Sequence, residues 1–364
     1  MAADPPGFAA IIGQQTTMRS VSCKETALLA INRHIASGNM AHYGANLTMH
    51  ALVNLAQITN SNEIKKNCLQ ILKPFYSGKI EKVSGIFDKI YRTGGNASAL
   101  LVKYGYAANI LDYLVSKADE LINNHPRHSS GAFGSTEAVP GSSDKVWIDT
   151  VFAVCPFLAI LGNLTGRYDL KNESIRQYLE HHKLLFNPDT GLYHQGINFT
   201  VPGKVSEDHW SRGNGWAALA LAELVTELPE NTRLTGILKK FITACVKFQD
   251  DKGLWHQEMT MHDSFTETSG TGLILYALGR GLELNILPQS FKNNFLKGLK
   301  GYLTYISLDG SIFNACEGCR CPGNGTIKDY LAKQWRLNDD HSFGPAALAF
   351  TQALRLGIDK INID

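Results

Sequence analysis

In Lys145-Val146-Trp147-Ile148-Asp149-Thr150-Val151-Phe152 an acid stands beside a tryptophan, at the head of an apolar run that lasts to Leu161. A segment this apolar on every side reads as a buried helix, so an acid in its first turn points from the core into whatever space the helix end faces. Two readings are open. Asp149 caps the helix, since Asp is among the preferred capping residues, or it is an acid held for proton transfer. More polar and aromatic residues gather ahead of other apolar runs: His194, Glu207-Asp208-His209-Trp210-Ser211-Arg212, Trp216, His256, Glu267-Thr268-Ser269 and Asn338-Asp339-Asp340-His341. Trp147, Trp210, Trp216 and Trp255 all fall in or next to these segments. Sugar rings have apolar C–H faces and polar edges, so aromatic platforms beside carboxylates and an arginine have the composition of a carbohydrate site. Arg212 suits a bidentate carboxylate. Any one of the tryptophans reads equally as a helix-packing aromatic.

Three other patterns point elsewhere. Cys316-x-x-Cys319-x-Cys321 has a metal-like spacing but no second Cys/His pair nearby, so it reads as a solvent-exposed thiol loop or a local disulfide, and no metal site is expected. His181-His182 reads as the solvated face of an outer helix. The two Gly-x-Gly segments have neither a preceding strand nor a following phosphate-binding lysine, and no cofactor is expected.

The elements that must position these residues are helical. The 3.6-residue periodicity predicts about twelve helices, near 24–36, 46–58, 63–76, 97–104, 109–123, 149–161, 172–185, 214–226, 233–249, 270–282, 290–306 and 344–356, and no run reads as a strand. Those beginning near 46, 97, 149, 214, 270 and 344 are rich in Ala, Gly, Leu and Val, and those between them carry more charge. Such alternation predicts an inner and an outer ring. Phe186-Asn187-Pro188-Asp189-Thr190-Gly191-Leu192-Tyr193-His194-Gln195 recurs as Phe248-Gln249-Asp250-Asp251-Lys252-Gly253-Leu254-Trp255-His256-Gln257, each copy just after an outer helix. A small-residue lead into an apolar helix follows each copy, Gly213-Asn214-Gly215 and Gly270-Thr271-Gly272, with related leads at Gly94-Gly95-Asn96 and Ser342-Phe343-Gly344-Pro345. The repeating unit is a helical hairpin, and six hairpins can close on themselves without exposed ends. We therefore expect an all-α (α/α)6 barrel spanning residues 1–364 as one catalytic domain, with 1–20 an irregular N-terminal segment. All loops leading into inner helices then share one rim, where glycines let backbone approach a ligand.

At 364 residues the chain has room for such a core. Its 35 Lys and Arg nearly balance 33 Asp and Glu, and no run of five like charges occurs, which argues against nucleic acid or anionic membranes as partners. No apolar stretch approaches a membrane span and Met1 to Gly13 lacks a signal-peptide pattern, so the chain reads as cytoplasmic. Asn-x-Ser/Thr sequons at Asn46, Asn96, Asn163, Asn172, Asn198 and Asn324 favour the alternative, secretion after removal of a leader.

Taken in order, several motifs resemble the unsaturated glucuronyl and rhamnogalacturonyl hydrolases, glycoside hydrolase families 88 and 105, the latter more closely. They are Val146-Trp147-Ile148-Asp149 with Pro156-Phe157, Thr190-Gly191-Leu192-Tyr193-His194, His209-Trp210-Ser211-Arg212 with Gly215-Trp216, Gly253-Leu254-Trp255, Glu267-Thr268-Ser269-Gly270 and Asn338-Asp339-Asp340-His341, within a resemblance running from about Tyr43 to Ala349. The resemblance implies an (α/α)6 barrel without a cofactor. It also implies a partner, an oligosaccharide left by a polysaccharide lyase and ending in a 4-deoxy uronate with a C4=C5 double bond. Asp149 matches the catalytic acid. His194, Trp210, Arg212 and Trp216 match the sugar pocket, with Trp147, Asn96 and Asn46 as further substrate-binding candidates. The implied reaction hydrates the alkene rather than attacking the glycosidic bond. Two departures stand out. Gly94-Gly95-Asn96-Ala97 lies where the family has a second Asp, and Gly134-Ser135-Thr136-Glu137 lacks the basic pair of some members. The alternatives are a conventional exo-glycosidase pairing Asp149 with Glu267 or Glu207, and a degenerate barrel that only binds sugar.

Overall fold

Two kinds of burial separate the helices. In the outer kind, α3 (Asn62–Tyr76) buries Ile64, Cys68, Leu72 and Phe75, a single stripe at helical spacing, and α10 (Thr232–Lys247) buries Leu234, Leu238, Phe241, Ile242 and Cys245 in the same way. Their N-termini are closed by Ser61, which accepts from Ile64 N (3.3 Å), and Asn231, which accepts from Leu234 N (3.1 Å). In the inner kind, every residue of α7 (Thr150–Thr165) from Thr150 to Gly162 is buried, as is every residue of α9 (Ser211–Glu227) from Ser211 to Val225. A helix buried all round needs neighbours on every side, which only an inner ring supplies.

The computed structural model describes residues 19–135 and 144–363. Most of the expected N-terminal segment, residues 1–18, and the stretch containing Thr136 and Glu137 lie outside them. The remaining helices are α1 (Cys23–Ser37), α2 (Ala45–Thr59), the single turn α4 (Asp88–Tyr91), α5 (Gly95–Lys103), α6 (Leu111–Asn124), α8 (Tyr168–Leu185), α11 (Thr268–Glu283), α12 (Lys292–Leu303), the short α13 (Ile327–Leu331) and α14 (Phe343–Arg355). Helix α2 packs on α5, α5 on α7, α7 on α9, α9 on α11, α11 on α14, and α14 returns to α2. The ring is closed. Helices α1, α3, α6, α8, α10 and α12 surround it, each packed on at least one inner helix, which makes an (α/α)6 barrel. Among the described residues no helix is long and apolar enough to cross a membrane.

Five two-stranded antiparallel sheets correct the expectation of no strand. They are β1 (Arg19–Ser22) with β10 (Lys360–Ile363), β2 (Val146–Trp147) with β5 (Gly196–Ile197), β3 (Phe186–Asn187) with β4 (Leu192–Tyr193), β6 (Trp255–His256) with β7 (Thr266–Glu267), and β8 (Ala315–Cys316) with β9 (Trp335–Arg336). Eight of these strands have two residues, too few for a period-2 pattern to register. Residues 19 and 20 belong to β1, so the segment expected to be irregular becomes regular there.

Two other expectations are overturned by packing. His181 is fully buried in α8, its Nδ1 bonded to Gln177 O (2.7 Å), and burial pushes its pKa down to about 4; His182 Nδ1 meets Tyr193 Oη (2.7 Å). The pair is thus not a solvated face. The Gly-x-Gly glycines serve helix contact rather than ligand approach, because a Cβ on Gly270 would lie 2.4 Å from Ser211 C and one on Gly272 2.6 Å from Pro345 C. These glycines let the α9, α11 and α14 backbones touch, which tightens the inner ring.

Candidate active site

Asp149 reaches its place through backbone pairing. In the β2–β5 ladder Trp147 pairs with Gly196, and Ile148 N donates to Gln195 O (2.9 Å), so Asp149 and Gln195 come to the rim side by side. Asp149 occupies the N-cap position of α7, but its φ of −55° and ψ of −27° are already helical and its side chain makes no capping bond. The capping reading fails. Instead Oδ2 is buried without a hydrogen-bond partner. Burial raises the carboxyl pKa from 3.8 to about 7; the Arg212 charge and the residue's own backbone N–H pull it back, Asp208 adds to the rise, and Arg320 opposes it.

The cavity beside Asp149 encloses about 410 Å³ counting its open mouth, and is lined by Tyr43, Gly85, Ile86, Tyr91, Trp147, Asp149, Gln195, Cys319 and Arg320. Among these described residues Asp149 is the sole carboxylate. Tyr43 and Tyr91 stack (centroids 5.6 Å apart, 30°), and Trp147 packs on Phe199. Tyr43 Oη meets His341 Nε2 (2.7 Å), and His341 Nδ1 meets Asp339 Oδ1 (2.6 Å). Burial, and then the Arg212 charge, push His341 down to about 4, so its ring is neutral at pH 7. Burial would raise the Asp339 carboxyl, but the His341 hydrogen bond, the His341 charge at the acid pH where that ring is protonated, and the Arg212 charge outweigh it and hold the carboxyl below its ordinary value. The consistent assignment has Nδ1–H donating to the Asp339 carboxylate and Tyr43 O–H donating to Nε2, which leaves lone pairs of the phenol oxygen for the cavity.

The other sequence-predicted residues divide. Asn46 and Asn96 are buried at the heads of α2 and α5; both amide atoms of Asn46 and Oδ1 of Asn96 lack a partner, while Asn96 Nδ2 donates to Phe152 O (3.1 Å). Such burial also removes these two sequons as glycan acceptors in the folded chain. Trp216 is fully buried, stacked on Phe152 (4.7 Å), and Trp210 lies with Cys316, Cys319 and Tyr330 behind the cavity lining. The aromatic residues that line the cavity are Trp147, Tyr43 and Tyr91, with Trp216 packed behind Tyr43. His194 is half-buried and bonds Asp208 O (3.0 Å), just as its repeat counterpart His256 bonds Ser264 O, so the repeat preserves a hairpin contact.

Arg212 is held mainly by the fold. It is fully buried; Nη1 donates to Ser269 Oγ (3.0 Å) and Cys316 O (2.6 Å), Nη2 to Glu317 O (2.9 Å), and the guanidinium lies 4.4 Å over Trp210. Its Nη atoms tie the 316–317 backbone to α9, while Nε is buried without a partner and its charge reaches Asp149. The three cysteines of that loop are free and buried, Cys316 and Cys319 against Trp210 and Tyr330, neither solvent-exposed nor bridged, and burial pushes Cys316 up to about 12 and Cys321 to about 11. Among the described residues no cluster of three His, Cys, Asp or Glu could hold a metal ion. Tyr43, Tyr91, Gln195 and Arg320 were missed; the only sequence signal was the position of Tyr43-Gly44 at the head of an inner helix.

The model of Glycosyl Hydrolase Family 88 matches residues 19–357. The chain belongs to that family. It is 28% identical to the unsaturated rhamnogalacturonyl hydrolase YesR of Bacillus subtilis over 218 residues, 58% of this chain and 60% of that protein. It thus spans less than two thirds of that relative's length. Two solved structures have the same fold as this family 88 chain. A possible family 105 member from Klebsiella pneumoniae has a TM-score of 0.83 at 18% identity, covering 98% of this chain and 100% of the other. A family 105 glycoside hydrolase from C. acetobutylicum has a TM-score of 0.77 at 23% identity, covering 90% and 98%.

Proposed function

We propose that this family 88 chain removes a 4,5-unsaturated uronate from the non-reducing end of lyase-generated oligosaccharides by hydrating the C4=C5 bond, with Asp149 as acid and then base. The carrying observation is a cavity carboxylate, the sole one among the described lining residues, whose burial raises its pKa to about 7. Asp149 gives its proton to C4, and positive charge develops at C5 and the ring oxygen. Water adds at C5 and returns a proton to the Asp149 carboxylate. The hemiketal then opens by breaking the C5–O5 bond; C5 becomes a ketone, O5 stays on C1, and the resulting hemiacetal expels the next sugar. Tyr43, pinned by His341 and Asp339, offers a lone pair that orients the attacking water. One carboxylate suffices because the acid, once spent, is itself the base.

A conventional glycosidase needs a second carboxyl group facing the first. Neither candidate for that role lines the cavity. Glu267 caps α11, accepting from Ser269 N (3.0 Å), Gly270 N (2.6 Å), Ser211 Oγ (2.9 Å) and Cys316 N (2.9 Å), and Glu207 pairs with Lys204 (3.1 Å) on the surface. Incubation with an unsaturated uronyl disaccharide, following loss of alkene absorbance, should give turnover, and the matching saturated uronide should be inert. Comparable turnover of the saturated compound would sink the reading.

A further inference from the structure

Two carboxylates, Asp208 and Glu258, are fully buried behind the cavity wall without lining it. Their states differ. Glu258 Oε2 accepts from His209 N (2.6 Å) and Oε1 from Thr260 Oγ1 (2.9 Å); burial and then the Asp208 charge push its carboxyl up to about 8, so at pH 7 it is mostly protonated. Asp208 meets a backbone N–H at each oxygen, Gln195 N at Oδ1 (3.1 Å) and Trp210 N at Oδ2 (3.0 Å), a setting that favours the carboxylate ion. Burial raises its pKa, and the Ser206 hydroxyl, those two N–H groups and the His194 charge oppose the rise.

Gln195 joins Asp208 to the acid. Its N–H is given to Asp208, and its C=O accepts from Ile148 N (2.9 Å), the residue before Asp149. Its side chain holds Cys319 O (2.8 Å) and Cys321 N (3.0 Å), which fixes the same wall from the other side. Asp149, Glu258, Cys319, Cys321 and Tyr330 all feel the Asp208 charge, and it raises the pKa of each. Of these groups and His194, only His194 can carry a compensating positive charge. Arg212 and Arg320 act on Asp149 in the opposite sense and draw it towards its ionised form.

We propose that Asp208 is a fixed negative charge held behind the cavity to keep Asp149 in its acid form, a positioning residue that acts through Asp149 and never meets the substrate. The inference rests on the hydration reading above, in which Asp149 must hold a proton to give to C4. Cations near the acid work against that need, since each stabilises the carboxylate. A like charge offsets them. It acts strongly here because what lies between Asp208 and Asp149 is the buried Gln195 peptide rather than water.

Asp208→Asn removes the charge at nearly constant size and keeps one accepting oxygen. Carboxyl NMR of the protein labelled with 13C-aspartate, with the Asp149 signal assigned through Asp149→Asn, should show the Asp149 midpoint falling by about one pH unit, the scale of a nearby like charge in a buried setting. On an unsaturated uronyl disaccharide, kcat should stay near wild type at pH 5 and drop about fivefold at pH 7, where a one-unit fall takes the protonated fraction of Asp149 from about one half to about one eleventh. Asp208→Ser, a second neutral variant, should move the midpoint in the same direction. Glu258→Gln exchanges one neutral group for another in the same buried layer and should leave both the midpoint and the pH profile in place. An unmoved Asp149 midpoint with a loss of kcat equal at all pH would make Asp208 merely structural and overturn the proposal, as would a shift of the same size in Glu258→Gln. The NMR titration needs no turnover. If wild type leaves the alkene intact while the midpoint falls in Asp208→Asn, the hydration reading fails and the action of Asp208 on Asp149 stands; if wild type hydrates the alkene and the midpoint does not move, only the role of Asp208 fails.

Discussion

Asp149→Asn separates the acid's chemistry from its cost to the fold. The wild-type carboxyl titrates near 7 when folded and near 3.8 when unfolded, because burial disfavours its charged form. Below pH 3.8 both states hold the proton and the group contributes no difference. Between 3.8 and 7 the unfolded chain ionises and the folded chain does not, so stability is lost as pH rises through that window and levels off above it. A shift of about three pH units is worth ~4 kcal/mol at 1.36 kcal/mol per unit. Discounting by up to half for the side that opens on the cavity leaves about 2–4 kcal/mol. Asn cannot ionise and Asp149 makes no cap bond that Asn would forfeit, so the variant should match wild type in urea unfolding at pH 3.5 and exceed it by that amount at pH 8. Glu258, buried and pushed up to about 8, acts with the same sign in both proteins and cancels from the difference. The variant should fail to consume the alkene at any pH, and wild-type kcat should fall as pH rises through about 7 as the acid loses its proton. Identical stability profiles for the two proteins would show that the carboxyl is not shifted by burial, and a stable Asn variant that still hydrates the alkene would remove Asp149 as the acid.

Two further substitutions test the assignments around the acid. Arg212→Lys should lower stability by about 2–4 kcal/mol in denaturant, since a single ammonium cannot satisfy Ser269 Oγ and the carbonyls of Cys316 and Glu317 together, and KM for charged and neutral unsaturated substrates should change in parallel. Tyr43→Phe keeps the stack on Tyr91 but removes the hydroxyl bonded to His341; kcat on the unsaturated substrate should drop about 10- to 100-fold with KM little changed, and an unaltered kcat would remove Tyr43 from the mechanism.

Much of the barrel was legible because ring membership is written locally. An inner helix such as α7 buries consecutive residues from Thr150 to Gly162, so its sequence is apolar on every face, whereas α3 shows one stripe; no long-range information is needed to tell them apart. Asp149 was legible for the same reason, as an acid where the local pattern has no place for one. The division of labour among the other polar residues was not legible. Arg212 stands at the head of an inner helix like a pocket residue, and what binds it into the fold is the return of the Cys316–Glu317 carbonyls onto α9, about a hundred residues along the chain. Gln195 looks like any repeat-end glutamine until its amide is seen to grip Cys319 and Cys321. The thiol loop was misjudged as exposed because its burial comes from Trp210 and Tyr330, neither of which its own spacing announces. Side-chain polarity at fixed helical spacing is enough to mark which segments are helices, which of them are wholly buried and where an unexplained acid stands. Which charges face the cavity and how far burial shifts Asp149 are fixed later, because hydrogen-bond partners and desolvation are sums over segments that meet only when the ring closes.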